Sequence, residues 1–281
     1  MKTIVFSNHK GGVAKTTCAF NTAVALAKKG YKVLGIDVDQ QGNFSDSCGI
    51  DLEELEQTQK NSLRLMLDDN ADFYNFRRET LIDEKVRPRF DVIPCSLDDD
   101  AETLIAGLSV SRELRLRKKL IPARQEYDFC IIDTPPSLGI VTVNALAVAD
   151  ITIIPIQPSR YALLGIKQLL RKISQVSADH APNMAVMALL TRFIQKQTFD
   201  KIVRTQVIER FTEDLVFTTT IPKAVAIEEA TATKQSIIES DSTSFATMAF
   251  RQFANELLET LGYEQETIQS GTVSKFAKRG D

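Results

Sequence analysis

Residues 2–17 read KTIVFSNHKGGVAKTT, and this stretch decides the fold. Positions 3–6 are apolar or β-branched and predict a short buried strand, and helical periodicity begins after the glycines. A glycine-rich turn between a first strand and a first helix binds phosphate, because backbone N–H groups and the helix N-terminus face the anion. Within this turn, Lys15 is placed to reach the β- and γ-phosphates of a nucleotide, and the Thr16 hydroxyl is placed to bind Mg²⁺.

The glycine spacing departs from the standard phosphate-loop pattern GxxxxGK[ST], whose outer glycines would fall at His9 and Ala14. The chain instead satisfies the pattern KGGxxKT, which adds a second lysine, Lys10, ahead of the glycines. An alanine at position 14 strains the turn if the backbone there needs a positive φ. We expect nucleotide binding to survive this change, whereas the rate of hydrolysis stays open.

Strand and helix patterns alternate along the rest of the chain. Apolar runs predict strands at 2–7, 32–37, 90–94, 128–133, 151–156, 184–191 and 215–221. Helical patterns lie at 16–29, near 63–67, and at 111–120, 138–147, 162–176, 199–211 and 243–261. This alternation predicts the α/β class, with a mostly parallel, twisted sheet covered by helices on both faces, as in P-loop NTPases. We expect one P-loop domain over 1–262, with a polar, irregular insertion at 43–89 and a polar, basic tail at 263–281.

Composition narrows the class of protein. A net charge of −3 over 281 residues does not mark the whole molecule as a nucleic-acid binder, although a local basic face stays open. The cysteines lack CxxC spacing, so neither a zinc site nor a disulfide framework is indicated, and reduced thiols in a cytosol are the simple interpretation. No apolar run approaches the ~20 residues that span a bilayer, and no signal-peptide core precedes the first strand.

Three aspartates follow predicted strands. Asp37 and Asp39 end the second strand at a spacing of two, which suits a metal ion and a water molecule. Asp133 follows four apolar residues and is followed by Thr134-Pro135-Pro136-Ser137, the context of a carboxylate that holds Mg²⁺ through water. We expect all three at the sheet edge where open α/β sheets bind ligands.

These motifs resemble those of the ParA/MinD superfamily of deviant-Walker ATPases. The loop is similar to the deviant Walker A motif, and 37–43 (DVDQQGN) is similar to the family's DxDPQGN segment, with Gln40 where proline is usual. The segments 127–146, 154–158, 189–192 and 220–223 are similar to the family's YDxxxIDTPPSLGxxxxNAL, IIPVQP, LLTR and TIPR segments. Altogether the resemblance covers about 1–262, and it is closest to the short ParA type. Because the first strand begins at residue 3, we expect no preceding helix-turn-helix domain.

The resemblance implies roles for residues at matching positions. ATP and Mg²⁺ are the implied cofactors, with Lys10 reaching the phosphates of a partner subunit in an ATP-bound homodimer. By position, Asp39 orients the attacking water, Asp37 supports the Mg²⁺ shell, and Ile221 and Pro222 line the adenine. The implied phosphate-binding residues are those of the loop itself: Lys10, Gly11, Gly12, Val13, Ala14, Lys15, Thr16 and Thr17.

The resemblance also implies binding to double-stranded DNA without sequence preference, on the nucleoid of the cytoplasm. In the family, basic side chains after the LLTR strand and at TIPR contact DNA, and by position these are Lys196 and Lys223. We expect four further cations to share that surface: Lys201, Arg204, Lys234 and Arg251. The implied function is DNA segregation, in which a ParB-like centromere-binding protein stimulates hydrolysis and releases the DNA.

Two other readings stay open beside DNA partition. A MinD-like membrane switch needs an amphipathic C-terminal helix, but the tail TVSKFAKRGD has only Val273 and Phe276 as bulky apolar residues, so we expect no membrane binding. The other is a metabolic enzyme on the same scaffold, such as an iron-protein reductase or a small-molecule synthetase. In the reductase, a bridging iron–sulfur cluster would need cysteines facing a dimer axis, and the nearest are Cys95 and Cys130. A ParA mechanism that moves another cargo cannot be separated on sequence.

Overall fold

The computed structural model describes residues 1–80, 90–160, 162 and 165–263 in full, and the backbone of 264–265 and 276–278. Its centre is a sheet of seven strands: β1 (Lys2–Phe6), β2 (Val33–Asp37), β3 (Arg78–Glu79), β4 (Asp91–Ile93), β5 (Phe129–Asp133), β6 (Ile151–Ile156) and β7 (Ala185–Leu190). The order across the sheet is β3-β4-β2-β5-β1-β6-β7, and the neighbours are parallel except for the antiparallel pair β3–β4. The predicted α/β class with a mostly parallel sheet is therefore confirmed.

Helices cover both faces of this sheet. In the described part of the chain the helices are α1 (Lys15–Lys28), α2 (Asn43–Ser47), α3 (Leu52–Thr58), α4 (Ser62–Leu67), α5 (Ala101–Gly107), α6 (Arg115–Lys119), α7 (Ile140–Ala147), α8 (Ile166–His180), α9 (Thr198–Phe211), α10 (Val225–Ala232), α11 (Ile237–Ser240) and α12 (Phe245–Thr260). Successive strand residues point to opposite faces, which produces two separate apolar cores. Ile4 and Phe6 pack in the core formed with α1 and α12, whereas Val5 packs in the core formed with α4 to α9.

The predicted strand at 215–221 is wrong. Val216 makes an isolated parallel bridge with Ala188, and Phe193 makes another with Pro222, but no ladder forms between them. The reason is that the Glu256 carboxylate on α12 accepts hydrogen bonds from the amides of Thr218 and Thr219 at 2.6 and 2.9 Å. The Thr219 amide is therefore unavailable to β7, although the amides of Phe217 and Ile221 on either side of it donate to the carbonyls of Ala188 and Leu190. The segment runs along the sheet edge as an irregular connection.

The insertion contains more regular structure than its polarity predicts. The helix near 63–67 is confirmed as α4, but α2, α3 and the short strand β3 also lie between 43 and 80. Side-chain caps stabilise these short helices: Asp51 accepts from two amides at the start of α3, and Asn61 does the same for α4. Residues 81–89 of the insertion lie outside the described residues.

Other predicted helices differ in extent. Only Arg115–Lys119 of the predicted helix at 111–120 is α-helical, after a 3₁₀ turn at Arg112–Leu114. The helix expected at 162–176 begins at Ile166 and continues to His180. Three short helices of four to eight residues, α5, α10 and α11, were not predicted.

The segment after α12 begins with ordered packing. Tyr263 packs its ring edge-to-face on Tyr31, with centroids 6.0 Å apart, and also contacts Phe129. The backbone of Tyr263–Gln265 (β8) pairs antiparallel with that of Phe276–Lys278 (β9). The remaining residues of the predicted tail lie outside the described residues, so its role stays a prediction.

Candidate nucleotide-binding site

The phosphate loop connects β1 to α1 and ends in a strained residue. Gly12 has a φ of 75° and Ala14, the N-cap of α1, has a φ of 66°, so both are in the left-handed region. The sequence prediction of strain at Ala14 is thus borne out by the backbone, because a Cβ atom disfavours this conformation. Space beside the loop is open, since a Cβ added at Gly11 or Gly12 would meet nothing within 4 Å.

Two residues of the loop point in different directions. Thr17 lines the cleft beside the loop. The Val13 side chain is only 2% exposed, and its carbonyl accepts a 3.0 Å hydrogen bond from the Thr191 hydroxyl on the segment after β7. Val13 therefore contributes backbone to the loop and anchors it to the segment after β7, while its side chain faces the core.

Asp133 joins the phosphate loop at the carboxyl edge of the sheet. It pairs in register with Asp37 on β2 and with Phe6 on β1. The Thr16 hydroxyl donates a 2.6 Å hydrogen bond to Oδ2 of Asp133, whereas Oδ1 is buried without a partner. A buried carboxylate oxygen without a donor beside a threonine hydroxyl is the donor set that suits Mg²⁺ and its waters.

Burial and neighbouring charges have opposing effects on the pKa of this carboxylate and of Lys15. Burial raises the pKa of Asp133 to about 7, against the opposing effects of the Thr16 hydrogen bond and of the Lys15 charge. Burial lowers the pKa of Lys15, and the carboxylates of Asp133 and Asp39 partly offset this. The Lys15 side chain is 7% exposed and faces the cleft, so the cleft holds a buried cation ready for phosphate.

Asp39 and Asp37 have different surroundings, which the sequence did not distinguish. Asp39 lines the cleft, and its Oδ1 accepts a 3.1 Å hydrogen bond from the amide of Gln41. Asp37 is fully buried and is not among the described residues that line the cleft. Its two oxygens accept from the Asp39 amide and from the amide and hydroxyl of Ser45, at 2.8 to 3.0 Å.

The structure therefore corrects the predicted place of Asp37. Burial, followed by the charge of Asp133, raises the pKa of the Asp37 carboxyl, and the donors from Ser45 and Asp39 oppose this rise. Its oxygens bond the segment that carries Asp39 and Ser45, and it does not line the cleft, so its predicted support of the Mg²⁺ shell stays a prediction.

The cleft has a volume of about 550 Å³ and extends from the phosphate loop to α10. Ile221 and Pro222, predicted to line the adenine, form part of its far wall. Sequence reasoning missed further wall residues, which come from the short helices α2 and α10: Asn43, Asp46, Ser47, Ile227 and Thr231. Arg192 and Glu228 also line the cleft and form an ion pair of 2.6 Å across it. The LLTR pattern and the nearby glutamates were visible in the sequence, but their pairing was not.

Lys10 lies outside this cleft. It is not among the described residues that line it, and its Nζ donates a 3.0 Å hydrogen bond to Oγ of Ser159 after β6. The two lysines of the loop thus point to different places, Lys15 into the chain's own cleft and Lys10 away from it.

Four of the six predicted DNA-contacting residues lie in, or next to, the connection between β7 and α9. Lys196 is exposed in the connection between β7 and α9, and the Lys223 amide donates a 3.4 Å hydrogen bond to the Phe193 carbonyl in that same connection. Phe193 also lines a second cavity of about 580 Å³, together with Arg204 and Lys201 on α9. The edge beyond β7 therefore carries a group of cations.

The other two predicted DNA contacts lie elsewhere. Lys234 forms a 2.7 Å ion pair with Asp46 on α2, at the rim of the nucleotide cleft. Burial, followed by the charge of Arg251, lowers the pKa of Lys29, which places Arg251 near the C-terminal end of α1. The structure does not bring Lys234 and Arg251 together with the cations beyond β7.

The cysteines bear on the iron–sulfur alternative. All four are free thiols in the interior. Cys95 and Cys130 are 0% exposed, and burial raises the pKa of both thiols well above its usual range. Neither therefore faces a surface where a second subunit could share a cluster. Separately, among the described residues no helix has the length and apolar character that a membrane span requires.

Comparison with known proteins identifies the family. A model of the AAA domain family AAA_31 matches residues 1–186. The chain is 33% identical to the sporulation initiation inhibitor protein Soj of Bacillus subtilis, over 91% of this chain and 98% of that protein. It is 31% identical to the chromosome partitioning protein ParA of Caulobacter vibrioides, over 92% and 94% of the two chains. Among solved structures, cobyrinic acid a,c-diamide synthase from Mycobacterium smegmatis with an ATP analogue and magnesium has a TM-score of 0.78 at 28% identity, covering 98% and 99%.

Proposed function

Because the chain belongs to the AAA_31 family and, with Soj and ParA, to the ParA/MinD superfamily, we propose that it is a Mg²⁺-dependent ATPase for DNA segregation. In this proposal an ATP-bound dimer binds double-stranded DNA without sequence preference. The observation that carries it is the opposite placement of the two loop lysines. Lys15 faces the cleft with Asp39 and Asp133, whereas Lys10 points out of it.

The chemistry follows from the residues around the cleft. Lys15 and the backbone of the phosphate loop bind the β- and γ-phosphates. Thr16 and Asp133 would hold Mg²⁺, which neutralises charge on the transferred phosphoryl group when bound. Asp39 faces the same space and orients the attacking water, its carboxylate held in place by the Gln41 amide.

Lys10 acts in trans in this proposal. Its ammonium points towards the loop after β6 instead of the chain's own phosphates. A second copy that meets this edge of the sheet would bring its own phosphates within reach of Lys10, and ATP would thereby close the dimer. A cation supplied in trans contributes about 10³–10⁵ to the rate of phosphoryl transfer in proteins that use an arginine finger.

DNA binding rests on the cations beyond β7. Lys196 is exposed in the connection after β7, Arg204 lines the second cavity, and Lys223 lines the nucleotide cleft, with its amide bonded to that same connection. Contacts to phosphate need no base recognition. Such binding releases counterions and therefore weakens steeply with salt. We further propose that the protein acts on the nucleoid in the cytoplasm, and that a ParB-like centromere-binding protein stimulates hydrolysis and releases the DNA.

A metabolic synthase is the second candidate, because a structural neighbour at 28% identity is a cobyrinic acid a,c-diamide synthase. Such an enzyme would hydrolyse ATP only together with a small carboxylic acid substrate and an amide donor. The partition ATPase instead hydrolyses ATP alone and faster with DNA and its partner. Comparing ATP turnover without any small acid, with and without duplex DNA, separates the two.

The main test is binding of random-sequence duplex DNA with ATP, with ADP and without nucleotide, each at 50 mM and 200 mM salt. We expect binding only with ATP, and a loss of affinity of several-fold or more at the higher salt. Lys10→Ala serves as the control that binds ATP without closing the dimer. Absence of DNA binding in every state would overturn the segregation role and leave the ATPase, and pelleting with anionic liposomes would then test the membrane alternative.

A further inference from the structure

Two contacts fasten the start of the phosphate loop to the end of β6. The side chain of Asn8 donates a 2.7 Å hydrogen bond to the carbonyl of Pro155 in β6, and its Oδ1 accepts one of 3.1 Å from the amide of Lys10. The Lys10 ammonium then donates to the hydroxyl of Ser159 at 3.0 Å. The Lys10 amide is therefore held by Asn8, which is itself bonded to β6, and the Lys10 ammonium reaches the loop after β6.

The hydrogen bond between Lys10 and Ser159 has an electrostatic consequence. The chain's own cleft holds the carboxylates of Asp39 and Asp133, which attract any cation on a flexible stem nearby. A lysine side chain without a partner samples many rotamers and loses that freedom when a binding partner fixes it. A hydrogen bond outside the cleft keeps the ammonium away from the chain's own carboxylates and restricts its rotamers before a second subunit arrives.

We propose that Ser159 is a positioning residue for Lys10, holding its ammonium in the direction from which it enters the cleft of a second copy of this chain. This inference rests on the proposed action of Lys10 in trans. An ammonium has three N–H donors, so the bond to Ser159 leaves two for phosphate oxygens of the second copy. Because the bond is kept in the dimer, Ser159 lowers the entropy lost on association and strengthens the ATP-bound dimer.

The test compares Ser159→Ala with Ser159→Thr, which keeps a hydroxyl at the same place. Dimer affinity is measured by sedimentation with Mg²⁺ and a non-hydrolysable ATP analogue, and ATP affinity is measured separately at concentrations where the protein is monomeric. We expect Ser159→Ala to weaken the dimer about three- to tenfold, because the freed Lys10 side chain then loses its rotamer freedom on association. ATP affinity of the monomer stays unchanged, and Ser159→Thr restores most of the dimer affinity.

A second readout observes Lys10 directly. In protein labelled with ¹³C-lysine, the ¹Hε–¹³Cε signal of Lys10, assigned with Lys10→Arg, reports the surroundings of the ammonium in the nucleotide-free monomer. We expect this signal to shift and narrow in Ser159→Ala, as the side chain gains rotamer freedom, and to stay in place in Ser159→Thr. An effect on folding alone would alter many lysine signals together.

Several results would overturn the inference. A Ser159→Ala dimer of unchanged affinity, equal losses in both variants, or an unmoved Lys10 signal would each show that Ser159 does not position the ammonium. A tighter dimer in Ser159→Ala would show that the contact is a latch that opposes association. A failure of the proposed action of Lys10 in trans gives a different result, because Lys10→Ala would then dimerise and hydrolyse ATP as the wild type does.

Discussion

The hydroxyl of Thr16 donates a 2.6 Å hydrogen bond to the Asp133 carboxylate, across 117 residues of sequence. This bond joins the end of the phosphate loop to the end of β5 and leaves one carboxylate oxygen buried without a donor. An oxygen of this kind costs stability unless a ligand satisfies it. The site is thus arranged for a cation and its waters, at the expense of the nucleotide-free fold.

Replacing Ala14 with glycine should stabilise the protein. An L-residue in the left-handed region costs about 1–2 kcal/mol, more than the roughly 0.4–1 kcal/mol of entropy that glycine adds to the unfolded chain. We expect a gain of about 0.5–1 kcal/mol, or about 1–4 °C in unfolding temperature by calorimetry. The matched control Ala178→Gly, at an exposed position of α8, should lower stability instead. Equal losses of stability in both variants would contradict strain at Ala14.

Removing the Lys15 ammonium should abolish nucleotide binding. Lys15 is the buried cation of the cleft, and without it the carboxylates of Asp39 and Asp133 would repel the phosphates. We expect Lys15→Ala to bind ATP at least about 100-fold more weakly, because a buried, charge-assisted contact is lost. Calorimetric titration measures this affinity. Lys10→Ala, the control, should bind ATP normally as a monomer. An unchanged affinity in Lys15→Ala would remove the phosphate-loop assignment.

Truncating Asp39 should separate binding from hydrolysis. Asp39 faces the cleft, whereas the oxygen proposed to face Mg²⁺ is the unpartnered Oδ1 of Asp133. The loss of the Asp39 carboxylate should therefore leave the Mg²⁺ position intact. We expect Asp39→Ala to bind ATP and dimerise, with turnover reduced about 10²-fold or more because the attacking water is no longer oriented. Steady-state turnover and sedimentation measure the two effects. A variant that stays monomeric yet hydrolyses normally would show that the water assignment is wrong.

Two lysines at the edge of the cleft should differ in DNA binding. Lys223 is exposed and lines the nucleotide cleft, whereas Lys234 is engaged with Asp46 at 2.7 Å. We expect Lys223→Glu to weaken duplex binding at least about tenfold and to reduce the salt slope by about one. Lys234→Ala should change DNA affinity less than twofold, and ATP affinity and dimerisation, measured as controls in Lys223→Glu, should be normal. Fluorescence anisotropy at several salt concentrations measures the DNA affinity of both variants. A larger loss in Lys234→Ala than in Lys223→Glu would place the DNA-binding surface at α2 and α10.

Adding a methyl group at Gly42 should disturb the segment that carries Asp39. Gly42 has a φ of 64°, and its added Cβ would lie 2.9 Å from the carbonyl oxygen of Cys95. The Gly42 amide also bonds the carbonyl of Asp39 at 2.9 Å, so a shift at Gly42 moves Asp39 as well. We expect Gly42→Ala to cost about 1–3 kcal/mol and to slow ATP turnover. Gly107→Ala, where nothing lies within 4 Å, is the control and should be neutral in both measurements.

Much of the fold was predictable because its signals are local. The parallel strands are continuous apolar runs, and α1, α7, α9 and α12 are long enough to show helical periodicity. The error at 215–221 had a non-local cause, since Glu256 on α12 occupies the amides that a ladder would have used. The short helices α2 and α10, which form much of the cleft wall, are held by tertiary contacts, and their composition alone does not mark them.

The sequence by itself determined the phosphate loop, the order of the main parallel strands and the longer helices, and which aspartates end β2 and β5. These features depend on residue type and spacing within one segment, where backbone conformation follows from neighbouring residues. Only the tertiary structure decided that Asp37 holds a loop while Asp39 faces the cleft, that Lys234 is paired with Asp46, and that Lys10 points at Ser159. Side-chain direction depends on which groups from distant segments compete for each charge, and that competition exists only after the sheet has assembled.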